Sequence, residues 1–288
     1  MRNESSVLEI FDLKTRKRTV LREFDGVIEA PNWTKDGKAL VYNAEGHLYR
    51  YDLETNDIVM IDTGDCDMCN NDHVLSADGT RVAISSSRSK DAKEGFSSNV
   101  YVLPLSGGEP VRITRKSPSF LHGWSPDGQT LAYCAFRDAE NGGDIYTIPV
   151  TGGEETQLTS APGLNDGPEY SPDGQYIWFN SVRTGLMQAW RMKADGSGET
   201  QMTFDEDLNT WFPHVSPDGK KVLVICYHKG DLEPGQHLPG KNVLLRLLDP
   251  ETGKLETLVE LYGGQGTVNV NSWAPDSERF AFVSYRAK

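Results

Sequence analysis

The chain has 288 residues, of which 29 are lysine or arginine and 42 are aspartate or glutamate, giving a formal net charge of -13. So acidic a chain repels nucleic-acid phosphates and gains little at anionic membranes, and we expect neither partner. No apolar run is long enough to cross a bilayer, and the start lacks the apolar core of a signal peptide. As written, the chain is expected to be cytoplasmic; prior removal of a signal peptide would make it periplasmic.

A short motif recurs six times: an apolar residue, two linker residues, an aspartate and usually a glycine. The copies begin at Trp33, Leu75, Trp124, Tyr170, Val215 and Trp273. Differences between their aspartates (36, 78, 127, 173, 218 and 276) are 42, 49, 46, 45 and 58 residues. This period is typical of four-stranded propeller blades. We predict one all-β domain over residues 1–288, a six-bladed β-propeller with four antiparallel strands per blade.

The motif also predicts a hairpin turn. In Ser-Pro-Asp-Gly, proline presets the backbone angle, aspartate bonds to its own backbone and glycine accepts a positive φ. Strand-forming runs follow the turns at 39–43, 81–85, 130–135, 176–180, 221–227 and 279–284. Third and fourth strands follow, such as 144–150 and 155–159. The aromatic residues three positions before the aspartates, Trp33, Trp124, Tyr170 and Trp273, are predicted to form inter-blade core without a functional role.

The sixth repeat contains only two strands before the chain ends. Residues 7–13 and 18–24 have strand patterns and precede the first motif. We predict that they supply the third and fourth strands of the last blade, because ring closure removes open sheet edges.

The motif turns lie on one face of the disk, here called the bottom. The connections that lead into the first strands, and those between second and third strands, therefore lie on the opposite, top face. All six histidines fall in these connections, and loops near the axis border a concave mouth, so we predict a ligand site there. The candidate ligand-binding residues are Asp72, His73, His122, Arg137, Asn165, Asp166, Arg183, Trp211, His214, His228 and Asn271.

An alternative interpretation assigns His73, His122 and His214 to one divalent metal, with Asp72 or Asp166 as fourth ligand or base. His73 and His122 both stand five residues before their turn aspartates, whereas His214 stands four before. In the main interpretation no cofactor is expected. Cys66 and Cys69 form a single C-x-x-C, which without a second pair favours two plain loop cysteines over a zinc or redox site.

Two further features belong to the top face. Arginines end the second strand in four blades and would make the mouth positive, unless they pair with acidic neighbours such as Asp138 or Asp144. These arginines are Arg88, Arg137, Arg183 and Arg286. A long insertion, 228–241, follows the second strand of the fifth repeat, and we predict that it covers the mouth or binds a partner.

The Ser-Pro-Asp-Gly turns, the aromatic residues before them and fourth strands ending in Leu158-Thr159 or Met202-Thr203 resemble the TolB-like propeller family. The resemblance covers essentially the whole chain and implies six blades and a protein-interaction role. The repeats also resemble the propellers of prolyl-oligopeptidase-type peptidases, but the G-x-S-x-G motif of their hydrolase domain does not occur in the sequence. Oligogalacturonate lyases look similar too, with a metal held by histidines.

Two functions follow from these patterns. The first is a non-catalytic binding propeller that captures a peptide, a protein or a small anionic ligand at the top mouth. The alternative is a metal-dependent enzyme acting on an acidic sugar. We expect the first, because no nucleophile arrangement is recognisable in the sequence.

Overall fold

The computed structural model describes residues 4–87, 97–138 and 142–287, and these contain strands and turns without helices. The first two strands are β1 (Glu4–Asp12) and β2 (Lys17–Phe24). Blade 1 contains β3 (Glu29–Trp33), β4 (Ala39–Ala44), β5 (His47–Asp52) and β6 (Ile58–Ile61). Blade 2 contains β7 (Cys69–Leu75), β8 (Arg81–Ser86), β9 (Asn99–Pro104) and β10 (Val111–Arg112). Blade 3 contains β11 (Ser119–Trp124), β12 (Thr130–Asp138), β13 (Gly142–Pro149) and β14 (Thr156–Gln157).

The remaining strands continue the same order. Blade 4 contains β15 (Asn165–Tyr170), β16 (Tyr176–Thr184), β17 (Leu186–Lys193) and β18 (Thr200–Gln201). Blade 5 contains β19 (Leu208–Val215), β20 (Val222–His228), β21 (Pro239–Leu248) and β22 (Leu255–Gly264). The last strand is β23 (Arg279–Ala287). In blades 1 to 5 the strands pair antiparallel in sequence order, from the inner strand outward, as predicted.

Blade 6 is built from both ends of the chain. Its sheet has the order β2-β1-β23, and β1 pairs with β23 from Glu4 opposite Ala287 to Asp12 opposite Arg279. Its inner strand is reduced to a bridge between Trp273 and Phe280. The predicted closure of the last blade by two N-terminal strands is therefore confirmed.

The motif turns show why serine or threonine recurs two residues before the aspartate. In blades 1 to 5 its hydroxyl donates to the aspartate Oδ1 at 2.6 Å. The same Oδ1 accepts the backbone N–H two residues further on, as from Lys38 in blade 1 at 3.0 Å. Blade 6 has Ala274 in place of the hydroxyl, and Arg279 Nε donates to Asp276 at 2.8 Å instead. Each turn is thus closed by its own side chains.

The aromatic residues before the turns lie between blades. Trp33, Trp124 and Trp273 are 5%, 7% and 3% exposed. Trp273 Nε1 donates to the carbonyl of His214 in blade 5 at 3.0 Å, and the guanidinium of Arg81 in blade 2 lies 4.9 Å from the Trp124 ring. Their predicted place in the inter-blade core agrees with these contacts.

Candidate functional site

The inner strands bulge where they approach the top face. Their pairing with the second strands shifts between Glu29 and Asn32 in blade 1, and at the same distance from the turn aspartate in blades 4 and 5. Blades 2 and 3 also have a shift, at slightly different positions. The segments predicted to be connections, such as those with His73, His122 and His214, therefore lie inside β7, β11 and β19. This corrects their expected place in loops: a bulge inserts an unpaired residue and re-aims a side chain without ending the strand.

The bulge has the same backbone signature in three blades. Ala30, Gly167 and Phe212 each stand six residues before their turn aspartate, with φ of 57°, 61° and 49°. Gly167 is required, because a Cβ there would lie 2.7 Å from Asn180 Oδ1 and 2.9 Å from the Phe212 ring. A left-handed conformation at a residue as bulky as Phe212 costs about 1–3 kcal/mol, and such strain concentrates at functional sites.

The top of the axis holds a cavity of about 430 Å³, the top cavity. Its lining residues are Glu29, Asn70, Asn71, Asp72, Phe120, His122, Phe136, Leu164, Asp166, Gly235, His237 and Gln265. Three predicted site residues, Asp72, His122 and Asp166, are thus brought together. Gly235 and His237 come from the insertion after β20, which lies over the mouth in agreement with its predicted role as a cover.

Two carboxylates flank one imidazole in this cavity. His122 Nε2 lies 3.4 Å from Asp166 Oδ1 and 3.8 Å from Asp72 Oδ1. The His122 ring stacks on Phe212 with 5.5 Å between ring centroids. His237 Nε2 lies 3.8 Å from Asp166 Oδ2, and its ring centroid is 4.5 Å from that of Trp211. Asp72 and Asp166 are only 5% and 7% exposed, so their charges act in a poorly solvated space.

The protonation states follow from burial and from this pairing. Burial opposes the charged form of His122, but the neighbouring carboxylates of Asp72 and Asp166 raise its pKa to about 9. Burial likewise opposes ionisation of Asp166, yet the hydrogen bond and charge of His122 lower its pKa to about 2. Burial raises the pKa of Asp72 to about 6, with His122 opposing the rise. At neutral pH the three residues therefore carry one net negative charge.

The other two histidines of the metal interpretation lie elsewhere. His214 Nδ1 is 2.6 Å from Glu169 Oε2, and its Nε2 is 2.9 Å from the carbonyl of Val268. His73 is fully buried, with Nε2 3.4 Å from the carbonyl of Val41, and burial lowers its pKa to about 4. Across the described ranges, no group of three or more His, Cys, Asp or Glu could hold a metal ion. The convergence of His73, His122 and His214 that the alternative interpretation requires is therefore absent from the described residues.

His73 and His122 lie in different surroundings because their positions relative to the bulge differ. His73 still pairs in regular register with Ile84, because the bulge of β7 precedes it. In β11 the register shifts between Leu121 and Gly123, so His122 is itself the bulge residue. Equal spacing from the turn aspartate therefore gives different side-chain directions.

The predicted arginines pair with acidic side chains. Arg137 Nε and Nη2 donate to Glu155, each at 2.9 Å. Arg183 donates to Glu199, and its Nη2 also donates to Asn165 Oδ1 at 2.8 Å. Arg286 pairs with Glu23, and Arg88 lies outside the described residues. These partners are not Asp138 or Asp144, the acidic residues named from the sequence. The arginines nevertheless pair with nearby acidic side chains, as the second interpretation predicted.

The last three candidates do not line the top cavity. Asn271 Nδ2 donates to Glu169 Oε1 at 2.7 Å, which ties blade 6 to blade 4. Trp211 is fully buried and lies behind His237. His228 ends β20 and is exposed. Among lining residues that sequence reasoning left out of the site, His237 had a usable signal, because it stands in a long insertion on the predicted face.

A second cavity of about 450 Å³, the bottom cavity, lies at the other end of the axis. Its lining residues are Asn32, Trp33, Thr34, Lys35, Val74, Leu75, Ser76, Ala77, His122, Gly123, Trp124, Glu169, Tyr170, Pro172, Val215, Pro217, Asn271, Trp273 and Pro275. His122 lines both cavities and separates them. The aromatic residues assigned to core packing therefore also surround an open space, which sequence reasoning missed.

Comparisons with known proteins agree with this architecture. The family model for the TolB beta propeller domain matches residues 119–239. The uncharacterised protein Atu1656 of Agrobacterium fabrum is 46% identical over 281 residues, covering 97% of this chain and 92% of that protein. A solved structure from Agrobacterium tumefaciens, described provisionally as a TolB, is 44% identical to this chain and has a TM-score of 0.91. The match covers 98% of this chain and 99% of the Agrobacterium chain. The fold is thus that of a TolB-type six-bladed propeller. The chain belongs to the TolB-like β-propeller family.

A solved structure that is less similar to this chain is an enzyme. An oligogalacturonate lyase in complex with manganese has a TM-score of 0.54 at 15% identity, covering 89% of this chain and 67% of its own. At that identity the likeness is one of fold, and fold alone does not transfer an activity. The described segments contain no helix that could span a membrane.

Proposed function

We propose that this chain is a non-catalytic binding propeller that captures a peptide or a segment of a partner protein in the top cavity through a cationic group. The observation that carries the proposal is the pair of buried carboxylates, Asp72 and Asp166, with one imidazolium between them. Their net negative charge attracts an amine or guanidinium, and the poorly solvated surroundings strengthen that attraction.

A small anionic ligand has less support. Glu29 adds a third carboxyl group to the lining of the top cavity. Arg137 and Arg183, which would have attracted an anion, donate instead to Glu155 and Glu199. An anion would therefore enter an acidic cavity without a facing arginine from these two strands.

The metal-dependent enzyme acting on an acidic sugar also has less support. The described ranges offer no three-residue ligand group, and an acidic cavity disfavours a uronate. The likeness to oligogalacturonate lyase supports a shared fold.

Titration calorimetry with short peptides tests the proposal. The probe is a pentapeptide with one lysine, compared with the same peptide carrying acetyl-lysine or glutamate. We expect binding of the lysine peptide only. Asp166→Asn should weaken it by roughly ten- to a hundredfold, because a charge-assisted contact contributes about 1.5–3 kcal/mol.

Asp207→Asn is the matched control, since it removes one exposed charge outside the lining of the top cavity. It should leave the affinity within about twofold at physiological salt, where exposed charges are screened. Equal binding of the lysine and glutamate peptides would contradict the proposal. Formation of unsaturated uronate from oligogalacturonate with added manganese would favour the enzyme instead.

A further inference from the structure

The outer edge of blade 6 is longer than that of most blades. β2 spans 8 residues, whereas the outer strands of blades 1 to 4 span 4, 2, 2 and 2 residues. β2 is the last strand of its sheet, and no strand of the described residues pairs with its outer side. A long edge presents a row of backbone N–H and C=O groups with which another strand can pair.

This edge is basic although the chain is acidic. Residues 14–22 contain five lysines and arginines and no acidic residue, in a chain with a net charge of -13. The other long outer strand, β22, has Glu256 and Glu260 as its only charged residues. Positive charges on an edge discourage pairing with uncharged strands and with a copy of the same strand. An acidic strand meets attraction instead, so the charge of β2 selects one class of partner.

Two of the five cations are already paired. Arg16 forms an exposed ion pair with Glu256 of blade 5. Arg18 Nη2 donates to Oε1 of the buried Glu9 at 2.6 Å. These two guanidinium groups therefore contribute little free charge to the edge.

The other three cations have no carboxylate partner among the described residues. Lys14, Lys17 and Arg22 are exposed, and none of them forms an ion pair within the described ranges. Glu23, the one acidic residue of β2, pairs with Arg286 at 2.8 Å. The edge thus keeps a positive charge that an incoming segment can neutralise.

The two faces of β2 differ in chemistry. Arg22 and Val20 pair with consecutive residues of β1 and so lie on opposite faces. Arg22 Nη1 donates to the carbonyl of Asn56 in blade 1 at 3.2 Å. Val20 is 51% exposed and lines a groove of about 420 Å³ with Leu261 and Tyr262 of blade 5. Both arginines of this groove are among those already paired. A strand that alternates acidic and apolar residues fits these faces.

We propose that β2 is a docking edge for an extended acidic segment of a partner protein, which adds to blade 6 as a further strand. Main-chain hydrogen bonds to β2 hold the segment, and Lys14, Lys17 and Arg22 select its acidic residues. Its apolar residues cover Val20 in the groove. This edge is separate from the top cavity, and its partner segment has the opposite charge.

An octapeptide that alternates glutamate and valine, blocked at both ends, is the probe for titration calorimetry. We expect saturable one-to-one binding that weakens as salt is added. The same peptide with glutamine in place of glutamate should bind at least roughly tenfold more weakly, because it lacks the charge. N-methylation of two adjacent central residues should weaken binding as much, because it removes an N–H from each edge of the peptide.

Lys17→Glu tests the charge of the edge. It replaces an attraction by a repulsion and should weaken the acidic octapeptide roughly five- to tenfold. Lys220→Glu is the matched control, since it makes the same charge change at an exposed position in the motif turn of blade 5. It should leave the affinity within about twofold, because exposed charges far from the peptide are screened. Both variants should melt at the temperature of the unsubstituted chain.

Amide hydrogen exchange of the unsubstituted chain locates the bound octapeptide without any variant. Exchange should slow at the amides of β2 that point outward, and β22 serves as the long acidic edge that should not respond. Equal binding of the glutamine or the N-methylated peptide would overturn the proposal, as would slower exchange at β22 alone. Tighter binding of an oligothymidylate with four phosphates would overturn it in favour of nucleic acid. A dimer of the free protein that Lys17→Glu dissociates would overturn it in favour of a second copy of this chain.

Discussion

A single imidazole separates the two axial cavities. His122 is 7% exposed, stacks on Phe212 and faces Asp72 and Asp166. Its charged form is held in the folded protein by these two carboxylates. The residue therefore couples the electrostatics of the top cavity to the stability of the fold.

This coupling predicts an alkaline loss of stability. An unperturbed histidine has a pKa of 6.5, whereas pairing with Asp72 and Asp166 raises that of His122 to about 9. The folded state thus binds the proton more tightly, and the stabilisation is full below pH 6.5 and lost as the pH rises to about 9. Urea denaturation across this range should show a falling free energy of unfolding. His122→Gln should flatten the fall.

His237 supplies the control for this experiment. Burial lowers its pKa from 6.5 to about 4, so its contribution is present above pH 6.5 and lost toward pH 4. His237→Gln should weaken the acid loss and leave the alkaline limb in place. An alkaline limb unchanged in His122→Gln would refute the assignment to His122.

At the scale of strands and turns, the sequence predicted the features that depend on the conformational preferences of neighbouring residues. Proline, aspartate and glycine have fixed turn preferences, so the six repeats located the hairpins and the second strands within a few residues. The inner-strand bulges were missed, because a bulge depends on pairing with the second strand and has no composition of its own. That is why His73 and His122, equally spaced from their turns, received the same role and lie in different surroundings.

Arg137 and Arg183 do not line the predicted mouth, for a related reason. Arg137 and Arg183 end second strands as expected, but Glu155 and Glu199 face them from the fourth-strand side of the same blades. Side-chain partners across a blade depend on register between strands far apart in sequence. The sequence predicted Asp72, His122 and Asp166 as candidates at one mouth, and the structure brings these three side chains together. The residues that they contact were not predicted.

The insertion 228–241 gives a prediction at the same scale. His237 contacts Trp211 and Phe212, and Tyr227 donates to the carbonyl of Leu238 at 3.2 Å, so the segment is packed over the top cavity. His237→Ala should weaken the lysine pentapeptide roughly fivefold, mainly through faster dissociation measured by stopped flow. Leu238→Ala, at a side chain 46% exposed on the same segment, should change neither rate. Equal effects of both would argue against a covering role.

At the scale of the whole molecule, the ring is closed by pairing between its two ends. β1 lies between β2 and β23, and its residues Val7, Leu8 and Phe11 are at most 4% exposed. Every other blade is continuous in sequence. The stability of the ring should therefore depend on β1 more than on the outer strand β2, whose residues are mostly exposed.

Leu8→Ala tests this dependence against Val20→Ala, since Leu8 is fully buried and Val20 is 51% exposed on the neighbouring strand. We expect Leu8→Ala to lower the free energy of unfolding by about 2–5 kcal/mol, and Val20→Ala by less than about 0.5 kcal/mol. Deleting residues 1–24 goes further, because it leaves β23 as an open edge that can pair with another chain. Size-exclusion chromatography should then show oligomers or aggregate. A truncated monomer that melts at the temperature of the full chain would mean that the other five blades hold the ring without its closure.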